Sequence, residues 1–214
     1  MRHVIINLSP RKAGTSAMLA KYFADKIRAA GQTANVHRLY SGLSNLSEVL
    51  EGIRKSESIV LIGPCYVASY PAETIRLLKE MSSTEGILHG QSLYGFIQGG
   101  MPYVHTHEHG INLLENFAAY NEVEFKGGFV MGGGAVLDGK PLDNVIGAKK
   151  MVPAVERFIE NICDDKISPP ELYQNAAVRM PVLISRILAA AMNRKIKKDL
   201  KSHGIDHRAS SPYL

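Results

Sequence analysis

The stretch VIINLSPRKAGTSAML, residues 4–19, decides the fold because it changes from strand to helix within one short turn. Its first residues form an apolar, β-branched run of the kind that is buried in parallel sheets. A helical pattern begins at Thr15 and stops at Gly31. A strand that leads directly into a helix directs the free N–H groups of the first helical turn, and the positive end of the helix dipole, toward the turn. The sequence therefore predicts a turn that binds an anion.

The side chains of this turn suit a phosphate group. Ser9, Thr15 and Ser16 offer hydroxyl donors, and the Arg11 guanidinium matches the geometry of phosphate oxygens. The P-loop spacing and the Gly-x-Gly-x-x-Gly motif of dinucleotide-binding folds are both absent from the sequence. The alternative is that Ser9 and Thr15 only cap the helix while Arg11 lies in solvent. This turn alone does not decide between the two interpretations.

Strand-type and helix-type segments alternate along most of the chain. The predicted strands are HVIINL (3–8), TANVHRL (33–39), SIVLIG (58–63), SLYGFIQGG (92–100) and VEFKGGFVMGGG (123–134). The predicted helices cover residues 15–30, 46–55, 71–81, 108–121 and a segment that ends near Ile162. This alternation predicts an α/β protein in which a five-stranded parallel sheet carries helices on both faces.

Three loops at the carboxyl ends of these strands have unusual compositions. They are SPRKAGTS (9–16), GPCYVASYPAE (63–73) and QGGMPYVHTHEHG (98–110), after the first, third and fourth strands. Ligands of doubly wound sheets bind beyond the carboxyl ends of the strands, where the winding reverses. Glycines let the backbone approach a ligand closely, and tyrosines can lie against a flat ring. We therefore expect the three loops to line one crevice.

The composition is that of an ordinary globular protein. The chain has 214 residues, of which 45% are hydrophobic and 21% charged, enough for one sizeable α/β core. Two cysteines, Cys65 and Cys163, are too few for a disulfide framework and favour a reducing compartment. The sequence enters an apolar strand at once, without a signal-peptide pattern, and Arg186 interrupts the best apolar run, residues 180–192. These features predict a cytoplasmic protein.

The positive charge is concentrated in the last part of the chain. Residues 168–214 contain eight Lys and Arg against three Asp and Glu, which accounts for the whole net charge of +5. We therefore expect a neutral domain over residues 1–167 and a basic helical extension over 168–214. One long helix is predicted from about Gln174 to Ser202, interrupted at most near Pro181.

An apolar stripe follows this predicted helix. Its members are Met180, Leu183, Ile184, Ile187, Leu188 and Ala191. Such a stripe must be covered, and we expect the cover to be the protein's own body or a second subunit. An anionic membrane surface is the alternative, because residues 194–201 are rich in Lys and Arg. Nucleic acid is less favoured, since no aromatic residues interleave the basic run.

Three ordered segments carry a family resemblance. SPRKAGTSAML (9–19) resembles the phosphate loop of the flavodoxin-like NAD(P)H-dependent FMN reductases. IVLIGPCYVASYPAETIRLLKEM (59–81) resembles the third strand and flavin loop of that family, and GFIQGG (95–100) resembles the end of its fourth strand. The resemblance covers roughly residues 1–163.

The resemblance implies a flavodoxin-like, doubly wound sheet with strand order 2-1-3-4-5 and an FMN cofactor. It places the FMN phosphate at Ser9, Arg11, Thr15 and Ser16. It places the isoalloxazine ring between two groups of residues, which are Pro64, Cys65, Tyr66, Val67 and Ala68 on one side and Gln98, Gly99 and Gly100 on the other. We expect Tyr70, Met101, Tyr103 and His105 to shape the substrate cleft.

The implied activity is that of an NAD(P)H-dependent oxidoreductase. NADH or NADPH would visit the site and reduce FMN at N5, and a small acceptor such as a quinone, nitro compound, azo compound or flavin would then take the electrons. Backbone N–H groups at Gly99 and Gly100 are expected to stabilise the reduced ring, and no side chain is named as catalytic. The resemblance also implies a homodimer. The alternative is a flavodoxin-type module that passes electrons to a protein partner, which the neutral body disfavours.

Further features leave alternatives open. His105, His107 and His109 alternate, so an extended loop would point them the same way, either toward a metal ion or, as we favour, into the cleft or solvent. Cys65 is either a redox thiol or, more commonly for a lone cysteine, a small hydrophobe. MGGGAVLDGK (131–140) forms either a mobile loop or a tight structural turn, and we favour the turn.

Overall fold

The computed structural model describes residues 1–40, 46–121, 123–145, 147–178 and 182–206. Met180, Pro181 and the side chains of Ile184 and Leu188, all predicted for the C-terminal helix, lie outside the described residues. Across the described ranges the strands are β1 Arg2–Asn7, β2 Thr33–Arg38, β3 Ser58–Pro64, β4 Ser92–Gln98 and β5 Glu124–Met131. The α-helices are α1 Thr15–Ala29, α2 Leu46–Arg54, α3 Ala72–Ser83, α4 Glu108–Tyr120, α5 Val152–Cys163 and α6 Val182–Ser202.

The five strands form one parallel sheet with the order β2-β1-β3-β4-β5. The predicted fold class and strand order are therefore confirmed. β3 and β4 are buried along their whole length, as expected of strands that helices cover on both faces. Asn7 pairs with Ile62, and Pro64 pairs with Gln98. The loops that follow β1, β3 and β4 consequently leave the sheet side by side.

The two faces of the sheet carry different helices because successive side chains point to opposite sides. Phe96 of β4 and Phe129 of β5 stack at 5.0 Å, and Phe23 of α1 meets Phe96 edge-on at 5.4 Å. Phe158 of α5 joins this cluster, with its ring 5.6 Å from Phe129. The neighbouring Gly95 and Gly128 open the opposite face to side chains of α4. The site lies at the end of this packed layer.

The stretch from residue 168 to 178 packs along β5, whereas we expected it to begin the extension. Gly127 pairs with Ser168, and Gly132 pairs with Ala177, both in parallel. The N–H of Val178 donates to the carbonyl of Gly132 at 2.9 Å. Since these backbone groups bond to β5, the predicted helix does not begin at Gln174 but at Val182. The two compact units of the structure divide between Arg179 and Met180 rather than between 167 and 168.

The second unit contains α6, which spans 21 residues. The described side chains of this helix are exposed, apart from a partly buried Leu200. Among the described residues, no helix combines the length and the hydropathy needed to cross a bilayer.

Candidate functional site

The loop between β1 and α1 is held by its own hydrogen bonds. Asn7 Oδ1 accepts the N–H of Ser9 at 3.0 Å, and Ser9 Oγ accepts the N–H of Arg11 at 3.2 Å. α1 begins at Thr15 after Gly14, whose φ of 141° a residue with a side chain rarely adopts, and no side chain caps the helix. The capping interpretation of Ser9 and Thr15 is therefore wrong. The first amides of α1 remain directed toward the turn.

The loop after β3 makes a tight hairpin beside this turn. The N–H of Tyr66 donates to the carbonyl of Ser69 at 2.6 Å, and Ser69 returns a bond of 3.3 Å. Val67 and Ala68 occupy the two central positions with φ values of 50° and 69°, the conformation of a type I′ turn. A β-branched residue is strained in this left-handed region. The turn projects Val67 entirely into solvent, and such strain often accompanies ligand sites.

The end of β4 forms the floor between the two loops. Gln98 is 7% exposed, and its Nε2 donates to Ser16 Oγ at 3.4 Å. Its Oε1 has no hydrogen-bond partner in the described structure and is buried beside Gly134. The N–H of Cys65 bonds the Gln98 carbonyl at 2.6 Å and ties the β3 loop to this floor.

The sequence interpretation missed the contribution of the loop after β5. Thr15 Oγ1 donates to the carbonyl of Gly134 at 2.9 Å, across 119 residues of sequence. A Cβ on Gly139 would lie 3.3 Å from the Cα of Gly14, so this loop packs directly on the start of α1. Residues 134–137 form a 3-10 turn, which favours the structural interpretation of the glycine-rich segment. The run of three glycines at 132–134 was the sequence feature that could have indicated this close packing.

These four loops enclose a cavity of about 130 Å³. Ten of the twelve residues predicted to hold the cofactor line it, namely Ser9, Arg11, Thr15, Ser16, Pro64, Cys65, Tyr66, Gln98, Gly99 and Gly100. Gly14, Ala135 and Asp138 line it as well and were not predicted. Val67 and Ala68 lie in the adjacent hairpin. The cavity is smaller than the roughly 300–1,000 Å³ of most small-molecule pockets, so a larger ligand must extend over its rim.

The polar groups of the cavity fit an anion. Ser9, Thr15 and Ser16 are buried. Thr15 gives its proton to Gly134, whereas Ser9 and Ser16 act as acceptors in their described bonds and keep their O–H groups available to a ligand. Arg11 lies at the mouth with 72% of its side chain exposed and Asp138 3.9 Å away. Two hydroxyls, the amides of α1 and one guanidinium thus face the same space.

The expected substrate cleft is only partly observed. Met101 and Tyr103 are more than half exposed, and Tyr103 stacks on His105 at 5.7 Å. Tyr70 is 4% exposed, so its assignment to the cleft is wrong. The physical reason is the space left by glycines, because a Cβ on Gly63 or Gly110 would lie 2.8 Å or 3.2 Å from the Tyr70 ring.

The three alternating histidines do not point the same way. His105 lies in a 3-10 turn over Val104–Thr106, and α4 begins at Glu108. His105 and His109 are exposed, whereas His107 is buried and its Nε2 donates to the carbonyl of Met101 at 3.0 Å. The expectation of an extended loop is therefore wrong. The described residues contain no group of three or more His, Cys, Asp or Glu side chains arranged to hold a metal ion.

Cys65 lines the cavity with a free, half-buried thiol. Burial raises the pKa of its thiol above the ordinary value, and a hydrogen bond from the backbone of Ala68 opposes that rise only in part. A raised pKa reduces the thiolate fraction on which nucleophilic reactivity depends. The interpretation of Cys65 as a small hydrophobe is favoured over that of a redox thiol.

Comparisons with known proteins inform the fold. No family model matches the sequence, and no curated protein matches it. Among solved structures, the apo form of the NADH:FMN oxidoreductase EMOB is 16% identical with a TM-score of 0.60, over 83% of this chain and 95% of that one. An FMN-dependent NADH-azoreductase from Bacillus anthracis, solved with FMN, is 13% identical with a TM-score of 0.54, over 77% of this chain and 99% of that one.

A third solved structure is RosB with bound 8-demethyl-8-formylriboflavin-5'-phosphate. It is 12% identical with a TM-score of 0.52, over 60% of this chain. The match covers 64% of RosB, so the chain spans less than two thirds of that protein. At sequence identities of 12–16%, structural similarity shows a shared fold. Together with the parallel order β2-β1-β3-β4-β5, it establishes that this chain has the flavodoxin-like fold.

Proposed function

We propose that the protein is an FMN-dependent NAD(P)H oxidoreductase that reduces a small acceptor. The observation that carries the proposal is the cavity at the start of α1, where Ser9, Ser16 and Arg11 offer donors to one anionic group. The structural similarity to EMOB, an NADH:FMN oxidoreductase, and to the FMN-dependent NADH-azoreductase, each matched over most of its length, adds support. Quinones, nitro compounds, azo compounds and free flavins are the acceptor classes.

The phosphate of FMN fits the enclosed part of the cavity. Ser9 and Ser16 donate from their hydroxyls, and Arg11 neutralises charge from the mouth. Thr15 acts through Gly134, as a positioning residue that fixes the β5 loop. When bound, FMN supplies hydride acceptance at N5 and the onward transfer of electrons.

The flat part of a bound FMN would extend over the rim, because the cavity of about 130 Å³ is too small to enclose it. Tyr66 is 45% exposed at this rim and can pack against a ring. Gly100 has open space around it, since a Cβ there would meet only Ala135 at 3.9 Å. The N–H of Gly99 donates to the carbonyl of Met131 at 3.2 Å, so Gly99 does not serve the reduced ring as expected. Stabilisation of the reduced ring then falls to the N–H of Gly100.

The acceptor approaches from the exposed side. Met101 and Tyr103 present apolar surface there, and the ring of His105 extends it. Stacking on such a surface favours planar acceptors over aliphatic ones. Assembly as a homodimer and a cytoplasmic location remain predictions from the sequence.

Two measurements on the full chain test the proposal. Calorimetry should show that FMN binds and that riboflavin, which lacks the phosphate, binds at least about tenfold more weakly, because a hydrogen bond to a charged group contributes roughly 1.5–3 kcal/mol. NADH or NADPH added without air should then bleach the flavin absorbance rapidly. A folded protein that binds no FMN overturns the proposal. Bleaching that requires a separate reductase favours the electron-transfer module instead.

A further inference from the structure

α6 presents apolar side chains that its own unit does not cover. Val182, Leu183, Ile187, Met192 and Ile196 are each at least half exposed. They lie on one helix of 21 residues. Single exposed apolar residues are normal on a protein surface, but Val182, Leu183 and Ile187 lie close together in the first two turns of the helix, and a contiguous exposed patch indicates an interaction site.

The charges of α6 are separated along its length. Residues 194–201 contain five Lys and Arg and one acidic residue, Asp199. Residues 182–193 contain a single charged residue, Arg186. The first half of the helix is therefore apolar and the second half is strongly basic.

This separation disfavours a second copy of α6 as the partner. Two parallel copies would bring the basic halves together, and like charges repel. Two antiparallel copies would place each basic half on the apolar half of the other, where charged groups lose hydration without gaining a partner. A dimer that formed through the neutral residues 1–167 would leave α6 without a partner.

We propose that α6 docks on the surface of a bilayer that contains anionic phospholipids. The apolar side chains near Leu183 and Ile187 enter the interface between headgroups and acyl chains. The lysines of the second half keep their ammonium groups at the phosphates while their stems cover apolar surface. A nucleic acid would neutralise the basic half of α6 but would leave the apolar half exposed. This interaction is independent of the proposed oxidoreductase activity.

The absence of tryptophan from the sequence permits a direct test of insertion. Leu183→Trp introduces the only tryptophan at a side chain that is 70% exposed, and Tyr120→Trp introduces one at an 87% exposed position of α4 as the matched control. Vesicles of phosphatidylcholine with about 30% phosphatidylglycerol should shift the Leu183→Trp emission to shorter wavelength. Vesicles of phosphatidylcholine alone should not, and the Tyr120→Trp emission should not move with either.

Charge variants test the electrostatic part in a vesicle flotation assay. Each Lys near an anionic surface contributes roughly a fivefold increase in affinity, so the triple variant Lys195→Gln, Lys197→Gln, Lys198→Gln should bind about 100-fold more weakly. The matched control removes three exposed lysines of the body, Lys79, Lys149 and Lys150, and should change binding less than about twofold. Circular dichroism confirms that each variant is folded.

Four results overturn the proposal. One is equal binding to neutral and anionic vesicles, and another is equal loss in both lysine triples. A third is a Leu183→Trp emission that shifts with protein concentration in the absence of vesicles, which would identify a second copy as the cover. The fourth is salt-sensitive binding of duplex DNA without any binding to vesicles. FMN affinity, measured in parallel, does not depend on any of these results.

Discussion

The sheet has an amino edge, where its strands begin, and a carboxyl edge, where they end. Both edges bury similar polar side chains, but the amino edge is closed by contacts among them and the carboxyl edge is open to a cavity. At the amino edge, Lys126 lies 2.7 Å from Glu124 and 3.6 Å from Asp165, and Asp165 also accepts the hydroxyl of Ser92. Opposite charges there pair with each other and close the edge. At the carboxyl edge, Ser9 and Ser16 turn donors toward an open cavity. Polar burial alone therefore does not mark a site; the carboxyl ends differ because Ser9 and Ser16 line a cavity.

The largest expected effect concerns the closed edge. A Cβ on Gly127 would lie 2.2 Å from the backbone oxygen of Ser168, at a φ of 109°. Gly127→Ala should therefore lower the free energy of unfolding by about 3 kcal/mol, through overpacking and backbone strain together. Urea unfolding measures the loss. Gly86→Ala, also at positive φ but with open space around it, is the control and should cost about 1 kcal/mol. Equal losses would contradict the contact with Ser168.

The second effect concerns the open edge. Arg11→Ala should weaken FMN binding by roughly 30-fold, because a hydrogen bond to a charged group is worth about 2 kcal/mol. Riboflavin affinity should stay unchanged, since riboflavin has no phosphate. Arg2→Ala removes an arginine that is likewise largely exposed at the amino edge and should alter neither affinity. Calorimetry with both ligands checks this, and a parallel loss for riboflavin would show that Arg11 does not act on the phosphate.

The parts of the site that depend on neighbouring residues in the sequence could be predicted. A strand followed directly by a helix defines the first loop, and parallel topology brings the carboxyl ends of β1, β3 and β4 together. Asp138 and Ala135 could not be predicted in this way. The glycine run at 132–134 marked their loop as unusual, but the bond between Thr15 and Gly134 that brings the loop to the site is a tertiary contact that the run does not encode.

Two errors have a similar physical origin. Tyr70 follows a loop that suggested a cleft, but Gly63, Gly95 and Gly110 leave a space in the core that its ring fills. The alternating histidines suggested an extended loop, but a 3-10 turn places His107 inside and His105 outside. The Tyr70 ring packs against glycines of β3, β4 and α4, whereas His107 bonds the carbonyl of Met101 within its own loop. In both cases the contact depends on how the backbone turns, which the composition of the loop does not encode.

A smaller effect should appear in the pH dependence of stability, again at the amino edge. His3 is 1% exposed, and burial lowers its pKa below 6.5 despite the hydrogen bond to Gln32. The unfolded chain then binds a proton at a higher pH than the folded chain does. Stability is therefore lost as the pH falls below about 6.5, by at most about 1.4 kcal/mol per pH unit for one proton. His3→Gln should remove this component in urea unfolding between pH 7 and 5. An unchanged slope would contradict the assignment to His3.

The smallest expected effect is a gain of affinity at the open edge. Asp138 is the one acidic side chain that the described cavity lining contains, 3.9 Å from Arg11, and its carboxylate opposes a bound phosphate. Its φ of 44° lies in the left-handed region, which Asn tolerates, so Asp138→Asn changes the charge and leaves the backbone in place. FMN should bind about threefold more tightly at low salt, in line with the roughly 0–1 kcal/mol of exposed ion pairs. The gain should shrink at high salt. Asp143→Asn, at an exposed position of the same loop, should have no effect. A weaker FMN complex with Asp138→Asn would instead mean that the carboxylate accepts a hydrogen bond from the ligand. The carboxyl edge would then hold a useful acceptor as the amino edge does, and the main difference between the two edges would be the cavity.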